Sequence, residues 1–380
     1  MLEEFFLGIL GGTLSGITPA LHVNTLATLL HDISKADFNF VFLIYIMGLT
    51  HTFLDAIPST FLGIPEEETS LSVLPAHRLV HQGKGLEVIN IAITASTLAL
   101  IFALPLLPLY LKLAPLYKPE FGKLFVLILS LFLILTERGI KKIHALLIFM
   151  LSGALGLMVD ALPLKEPYFH IFVGLFGVPA LIVGMENRKF EVGEGEIEIS
   201  RWRILKFSFL GTLLGALASL LPTFTSSQAA LMGSFLSKDE RSFLTIAFSV
   251  NTANYFFSMG NFYLTGRTRN GILALIRESY PILSEREFLI LIFGSFCAAA
   301  LINLYGLSLG RGIGKALTGV DYRKLNISIL SAVFMLSFYF DGIFGILTLI
   351  AAASVGYTAI ELGVKRTNCM GVLMLRILIK

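Results

Sequence analysis

The stretch from Phe6 to Ser34, FLGILGGTLSGITPALHVNTLATLLHDIS, constrains the fold more than any other. It is apolar enough to enter a bilayer, yet Thr18-Pro19 and the polar cluster His22, Asn24 and Thr25 break it in the middle. The pattern returns as Phe209 to Ser237, FLGTLLGALASLLPTFTSSQAALMGSFLS, with no gap. Gly8 pairs with Gly211, Gly12 with Gly215 and Pro19 with Pro222, an offset of 203 residues in each case (211 − 8, 215 − 12, 222 − 19). A chain built twice around a broken apolar segment is the first expectation.

Composition sets the environment. Hydrophobic residues make up 55% and charged residues 14%, with a mean hydropathy of +0.80; soluble domains carry about 25% charged residues. Several windows exceed the roughly 18 apolar residues that mark a membrane span. The fold class is therefore all-α integral membrane, and the location a cell membrane crossed many times. The net charge of +3 is small and spread over loops, which excludes a nucleic-acid surface. Cys297 and Cys369 lie in or beside apolar segments and read as small core residues, with neither disulfide framework nor metal spacing. The N-terminus, MLEE, lacks the basic segment of a cleavable signal.

The chain divides into a first membrane unit, 1–186, a polar linker, 187–205, and a second unit, 206–380. Each unit opens with two short apolar halves around its break. Each half is shorter than the roughly 20 residues a span needs, so a re-entrant hairpin is expected, with its irregular backbone buried in protein or lining a wet cavity. Five spans follow in the first unit, near 39–63, 87–111, 121–136, 143–162 and 169–185, and five in the second, near 243–264, 287–309, 325–340, 343–359 and 368–379. An odd number makes the two units inverted repeats. A modest excess of Lys and Arg on one face places both termini outside.

Inverted repeats with broken helices mark the binding site of a secondary transporter. A helix that starts inside the membrane presents unpaired N–H groups and partial positive charge, an anion site that needs no Lys or Arg. The candidate substrate-binding residues are thus Thr18, His22, Asn24 and Thr25 in the first unit, and Thr223, Thr225, Ser226, Ser227 and Gln228 in the second. The bland alternative is a pair of kinked spans whose hydroxyls bond their own backbone. His51 and Asp55, four apart, share a helix face, and an ionisable pair inside a span suggests a relay for H⁺ or Na⁺. Their counterparts are Asn254 and Ser258, with Asn251 a turn away, and together they read as a cavity lining; a structural hydrogen-bonded pair is the alternative. Asp160 and Asp341, at predicted span ends, are expected to be solvated. No Walker A loop and no HExxH pairing is present, so neither an enzyme, a metal site nor a cofactor is expected.

The motif GTLSGITPALHVNTLA, with Ile64-Pro65, Thr69 and the Gln82-Gly83-Lys84-Gly85 stretch, resembles the TctA family, the large membrane subunit of tripartite tricarboxylate transporters. The ending LGVKRTNCMGVLMLRILI, Leu362 to Ile379, looks like the shorter, stand-alone archaeal relatives of that family. Ala20 and Glu66 stand where the family's motifs have Gly. A more distant resemblance in architecture is to the DUF368 family of polyprenyl-phosphate transporters. These resemblances imply ion-coupled transport of an anionic substrate, an organic carboxylate, by alternating access. The alternatives are a carrier of polyprenyl-phosphate lipid, or a non-transporting scaffold or channel. The partners implied are an anionic small molecule or phosphorylated lipid and the membrane lipid itself; a homodimer and partner subunits stay open.

Overall fold

A computed structural model describes residues 1–18, 23, 24, 26, 27, 30, 37–64, 68–183, 185, 191–221, 226–268, 270–318 and 321–379. Among them the regular structure is helical. The first half of the chain forms α1 (Leu2–Ile17), α2 (Phe38–Phe61), α3 (Val73–His81), α4 (Gly85–Leu113), α5 (Pro119–Leu135), α6 (Lys141–Val159) and α7 (Pro167–Val183). The second half forms α8 (Arg201–Leu220), α9 (Ser226–Ser234), α10 (Glu240–Thr265), α11 (Gly271–Ser279), α12 (Glu285–Leu317), α13 (Tyr322–Glu361) and α14 (Gly371–Ile379). Six helices are long and apolar enough to cross a membrane, and α12 turns Phe293 and Leu304 fully outward, as a lipid-facing surface would. This is a multi-pass membrane protein.

Local chemistry sets the helix starts. Asp37 accepts a hydrogen bond from Phe40 N–H (2.9 Å), Asp239 from Ser242 N–H (3.1 Å) and Asn270 from Leu273 N–H (2.8 Å), each satisfying a donor that a helix N-terminus leaves free. Ser284 and Glu287 form a capping box ahead of α12. Ser200 caps α8 by accepting from Arg203 N–H (3.4 Å). That cap explains a difference from the expected short arm: α8 starts at Arg201 and runs for 20 residues, long enough to cross a membrane.

The 203-residue offset reappears contact by contact. A Cβ on Gly8 would meet the Leu43 carbonyl at 2.7 Å and Ile46 Cβ at 3.0 Å; one on Gly211 would meet the Ile246 carbonyl at 2.7 Å and Ser249 Cβ at 2.6 Å. One turn on, Gly12 lies against the Met47 carbonyl and Thr50, and Gly215 against the Val250 carbonyl and Ala253. Every partner is displaced by 203. These glycines let α1 sit on α2, and α8 on α10, at backbone contact. The turns agree too: Gly139 and Gly342 both have φ +56°, and Gly63 and Gly266 have φ +64° and +67°, a region glycine enters without strain.

The offset also divides α13. Gly342 reverses the chain, leaving arms 322–340 and 343–361. In the first arm Asn326 Nδ2 donates to the Leu181 carbonyl (3.1 Å), while Ser337 Oγ lies 3.0 Å from His170 Nδ1. In the second, Gly345 sits by His170 and Gly356 by Pro179. The arms therefore run oppositely along α7, as a hairpin matching α5 and α6.

The two halves interlock. α4 packs on α8 and α10: the Ala95 carbonyl accepts Ser249 Oγ–H (3.1 Å) and Tyr110 OH accepts from Ser219 Oγ (2.8 Å). α12 packs reciprocally on α1 and α2, through Tyr305 OH with Thr13 Oγ1 (2.6 Å) and Ser295 Oγ with Tyr45 OH (3.0 Å). Charged caps are exchanged as well. Asp341 was expected to be solvated, but only 1% of its side chain is exposed. It accepts Lys165 N–H (2.5 Å) and Glu166 N–H (3.0 Å) at the start of α7 and lies 2.7 Å from His170 Nε2. Glu137, in the α5–α6 turn, accepts Lys365 N–H (2.9 Å) ahead of α14.

Candidate functional site

The middle of the molecule is where α2 and α10 cross. Asp55 faces Asn251, Thr52 faces Thr252 at 3.4 Å, and the Tyr45 carbonyl accepts from Tyr255 OH at 2.9 Å. The chain directions of α2 and α10 are thus opposed at the crossing. Both helices are buried almost throughout, polar residues included, so each polar group here needs a partner from protein or ligand.

α2 supplies the ionisable groups. The helix continues through Asp55 (φ −58°, ψ −21°), losing only the backbone bond that Pro58, lacking an N–H, cannot donate. His51 and Asp55 are both 3% exposed. His51 Nδ1 lies 3.1 Å from Ser15 Oγ on α1, whereas Asp55 Oδ2 accepts Asn251 Nδ2–H from α10 at 3.0 Å. The pair expected from spacing thus bridges three helices. The Asp55–Asn251 bond ties the two halves of the chain at mid-helix.

α10 supplies amides and hydroxyls. Asn254 donates to Ser226 Oγ at the start of α9 (2.9 Å), Ser258 Oγ donates to Asn254 Oδ1 (3.4 Å), and Asn261 donates to the Ser219 carbonyl near the end of α8 (3.1 Å). The α8–α9 break is therefore held from beneath by one face of α10. Asn251, Asn254 and Ser258, expected together on a cavity lining, share that face.

Of the broken-segment residues, Ser226, Ser227 and Gln228 are buried in the first turn of α9. Ser226 N–H donates to Glu68 Oε2 (2.9 Å), and Ser227 Oγ lies 3.1 Å from Ser70 Oγ. Both partners come from the segment after α2, in the other half of the chain. Asn24 makes the reciprocal approach, its side-chain amide against Gly271 at the start of α11. Thr18 closes α1 and is exposed. His22, Thr25, Thr223 and Thr225 lie outside the described residues.

Sequence reading missed Glu68 and Ser70. The one signal was the acidic run Glu66-Glu67-Glu68 followed by Thr69-Ser70 in a chain so poor in charge; its spacing pointed to a solvated loop. The spacing of His77 and His81, four apart beside Arg78, suggests a short interfacial helix with too few ligands for a metal, and α3 is that helix; what the spacing missed is the burial of His77. His77 is 2% exposed, and neither ring nitrogen has a hydrogen-bond partner among the described residues. Burial, with the charges of His81 and Arg366 nearby, pushes its pKa down to about 3. Arg366, 9% exposed, donates through Nη2 to the Leu175 and Phe176 carbonyls (2.7 and 2.6 Å). Those carbonyls lie in a π-helical turn, Val173–Gly177, whose widened ring frees them from their regular partners.

Comparison with known proteins settles the family. The model of the tripartite tricarboxylate transporter TctA family matches residues 4–371, nearly the whole chain. The chain belongs to the TctA family. A relative in Methanocaldococcus jannaschii, an uncharacterized protein, is 27% identical over 396 residues, covering 98% of this chain and 97% of its own length. This TctA member is thus similar to an archaeal protein of matching length. No solved structure matches. By the family's description, the chain is a membrane component of a transporter class.

Proposed function

We propose that the chain is an ion-coupled secondary transporter of an organic carboxylate, made of two inverted units, 1–186 and 206–380, joined by the linker 187–205. Alternating access would expose a mid-membrane site, held between the two broken segments, to each face in turn. The observation that carries this reading is the first turn of α9: a helix N-terminus buried inside the bundle with Ser226, Ser227 and Gln228, and with a carboxylate, that of Glu68, already on its amide. Backbone N–H groups and the helix dipole favour such a group. The opposed directions of α2 and α10, corresponding helices of the two units, support inversion. Asp55, buried at the same crossing, is assigned to coupling with H⁺ or Na⁺.

The test is a thermal-shift panel on purified protein, comparing citrate and other carboxylates with short-chain polyprenyl phosphates, because a ligand of the folded state raises the midpoint. Carboxylates are expected to stabilise the protein saturably, and a Ser227→Ala, Gln228→Ala double variant to lose that response while still folding. Stabilisation by the lipid phosphates alone would replace this reading with a lipid carrier. An unchanged carboxylate response in the double variant would move the site elsewhere.

A further inference from the structure

The two broken segments meet the rest of the protein in corresponding ways but with different chemistry. Each tip rests on the segment after the second helix of the other half: Asn24 on Gly271, and Ser226 and Ser227 on Glu68 and Ser70. At the first tip, the position that is met is a glycine, Gly271. The Asn24 amide fills the space where a side chain there would begin, its Cγ 2.5 Å from an ideal Gly271 Cβ. At the second tip the position met carries a carboxylate, which reaches the α9 amide (2.9 Å). An N-terminal cap is normally supplied by the residue just before its helix. Here the group comes from 158 residues away and from the opposite half of the chain.

Beside it, Thr69 is 2% exposed, and its hydroxyl has no hydrogen-bond partner among the described residues. Buried hydroxyls are normally paired, so the residue next to Glu68 in the chain carries an unused polar group. Glu68 itself is half-buried, whereas Thr69 to Ser72 behind it are buried, so the side chain rather than the backbone is the part free to leave the amide. The 3-10 turn Ser70–Ser72 leads into α3, with Leu71 in the apolar cluster that includes Ala229 to Leu231 of α9, while the polar contacts run from Glu68 to Ser226 and from Ser70 to Ser227.

We propose that Glu68 is a tethered carboxylate that holds the position of the substrate's own carboxylate on the α9 amide, and that substrate enters by displacing it. This rests on the carboxylate-transport reading and adds how that site is occupied at rest. With Glu68 seated, the positive end of α9 is neutralised. A substrate carboxylate takes over the same N–H while the Glu68 side chain rotates off it and the 69–72 turn stays packed. Each arrival is then coupled to release of a bond that joins the first unit to α9. The site therefore prefers a substrate with the same monodentate carboxylate chemistry, and it is never left as an empty cationic pocket in the membrane.

The experiment compares the full-length wild-type protein in detergent with Glu68→Ala and the near-isosteric Glu68→Gln, using sodium acetate as probe, sodium chloride as control, and citrate as substrate. Acetate is expected to raise the midpoint of Glu68→Ala and leave wild type unmoved, because only the variant has the amide vacant. Citrate is expected to bind Glu68→Gln about tenfold tighter than wild type, if Glu68 holds the position nine-tenths of the time. Equal acetate responses in Glu68→Ala and wild type, or citrate affinity unchanged or weaker in Glu68→Gln, overturn the proposal. Should Glu68→Ala fail to fold, the citrate comparison with Glu68→Gln decides alone. Acetate rescue with no citrate binding by any form, including to other carboxylates, would instead defeat the transport reading and reduce Glu68 to a helix cap.

Discussion

α2 and α10 are the same helix twice, and they differ where it matters. Their glycine-bearing partners, α1 and α8, approach them through contacts that repeat at an offset of 203 to the atom type. Yet α2 carries His51 and Asp55, with Pro58 removing one backbone donor after them, whereas α10 has Asn254 and Ser258 at those positions. The second half offers neutral donors and acceptors, and the first half offers groups that gain or lose charge. Duplication has kept the packing and divided the chemistry. The α9 tip, with its hydroxyls and amide, belongs to the neutral half; the carboxylates that reach across to it and to α10, Glu68 and Asp55, belong to the other.

The largest effect should come from the shared packing. Replacing Gly12 or Gly215 with Leu drives a side chain into the Met47 or Val250 backbone, and each should cost at least about 3 kcal/mol, since overpacking a tight contact costs roughly 1–3 kcal/mol even without a backbone collision. Loss of monodisperse protein in both variants would support equal scaffolds; a variant that folds normally would show that its half is not held by that contact.

A smaller and unequal effect separates the chemistry. Asp55→Ala leaves the buried Asn251 amide without its acceptor (3.0 Å) and should lower stability by about 1–3 kcal/mol. Ser258→Ala removes a hydroxyl whose bond to Asn254 is long (3.4 Å) and should cost under about 1 kcal/mol. Melting curves of the two variants check the ordering, and equal losses would undo the division.

A further effect, read through pH, is the contribution of His77 in the first half. His77 is held neutral, its pKa pushed down to about 3 by burial and then by His81 and Arg366. Because the folded pKa lies below the ordinary 6.5, the unfolded chain takes up the proton first. Stability is therefore complete above about pH 6.5 and falls as pH drops toward 3, by up to about 1.4 kcal/mol per pH unit from this group. His77→Phe should flatten that limb in a pH series of melts; an identical acid limb would assign the loss to other groups.

How much of this could be read from the sequence depends on range. The break at Thr18-Pro19, its return 203 residues later and most span positions follow from local apolar pattern, and the observed α2 (Phe38–Phe61) and α4 (Gly85–Leu113) lie within a few residues of their expected limits. The face shared by Asn251, Asn254 and Ser258 was legible from helical spacing. What escaped is long-range. Asp341 sits at a span end and looks solvated by hydropathy, yet it is buried because α7 starts against it. Glu68 looks like one of three loop acids until α9 is brought to it. Arg366 looks like a flanking charge, although a π-turn in a distant helix supplies its acceptors. In each case the partner is more than 150 residues away, beyond any periodicity.

The central claim is that Asp55 couples ion movement to carboxylate passage through a site built on the neutral half. The direct measurement is uptake of labelled citrate into proteoliposomes under imposed H⁺ or Na⁺ gradients, for wild type, Asp55→Asn and Ser258→Ala. The account expects saturable uptake driven by one of the gradients in wild type and Ser258→Ala, with the gradient dependence lost in Asp55→Asn. Gradient-driven uptake that persists unchanged in Asp55→Asn would contradict it.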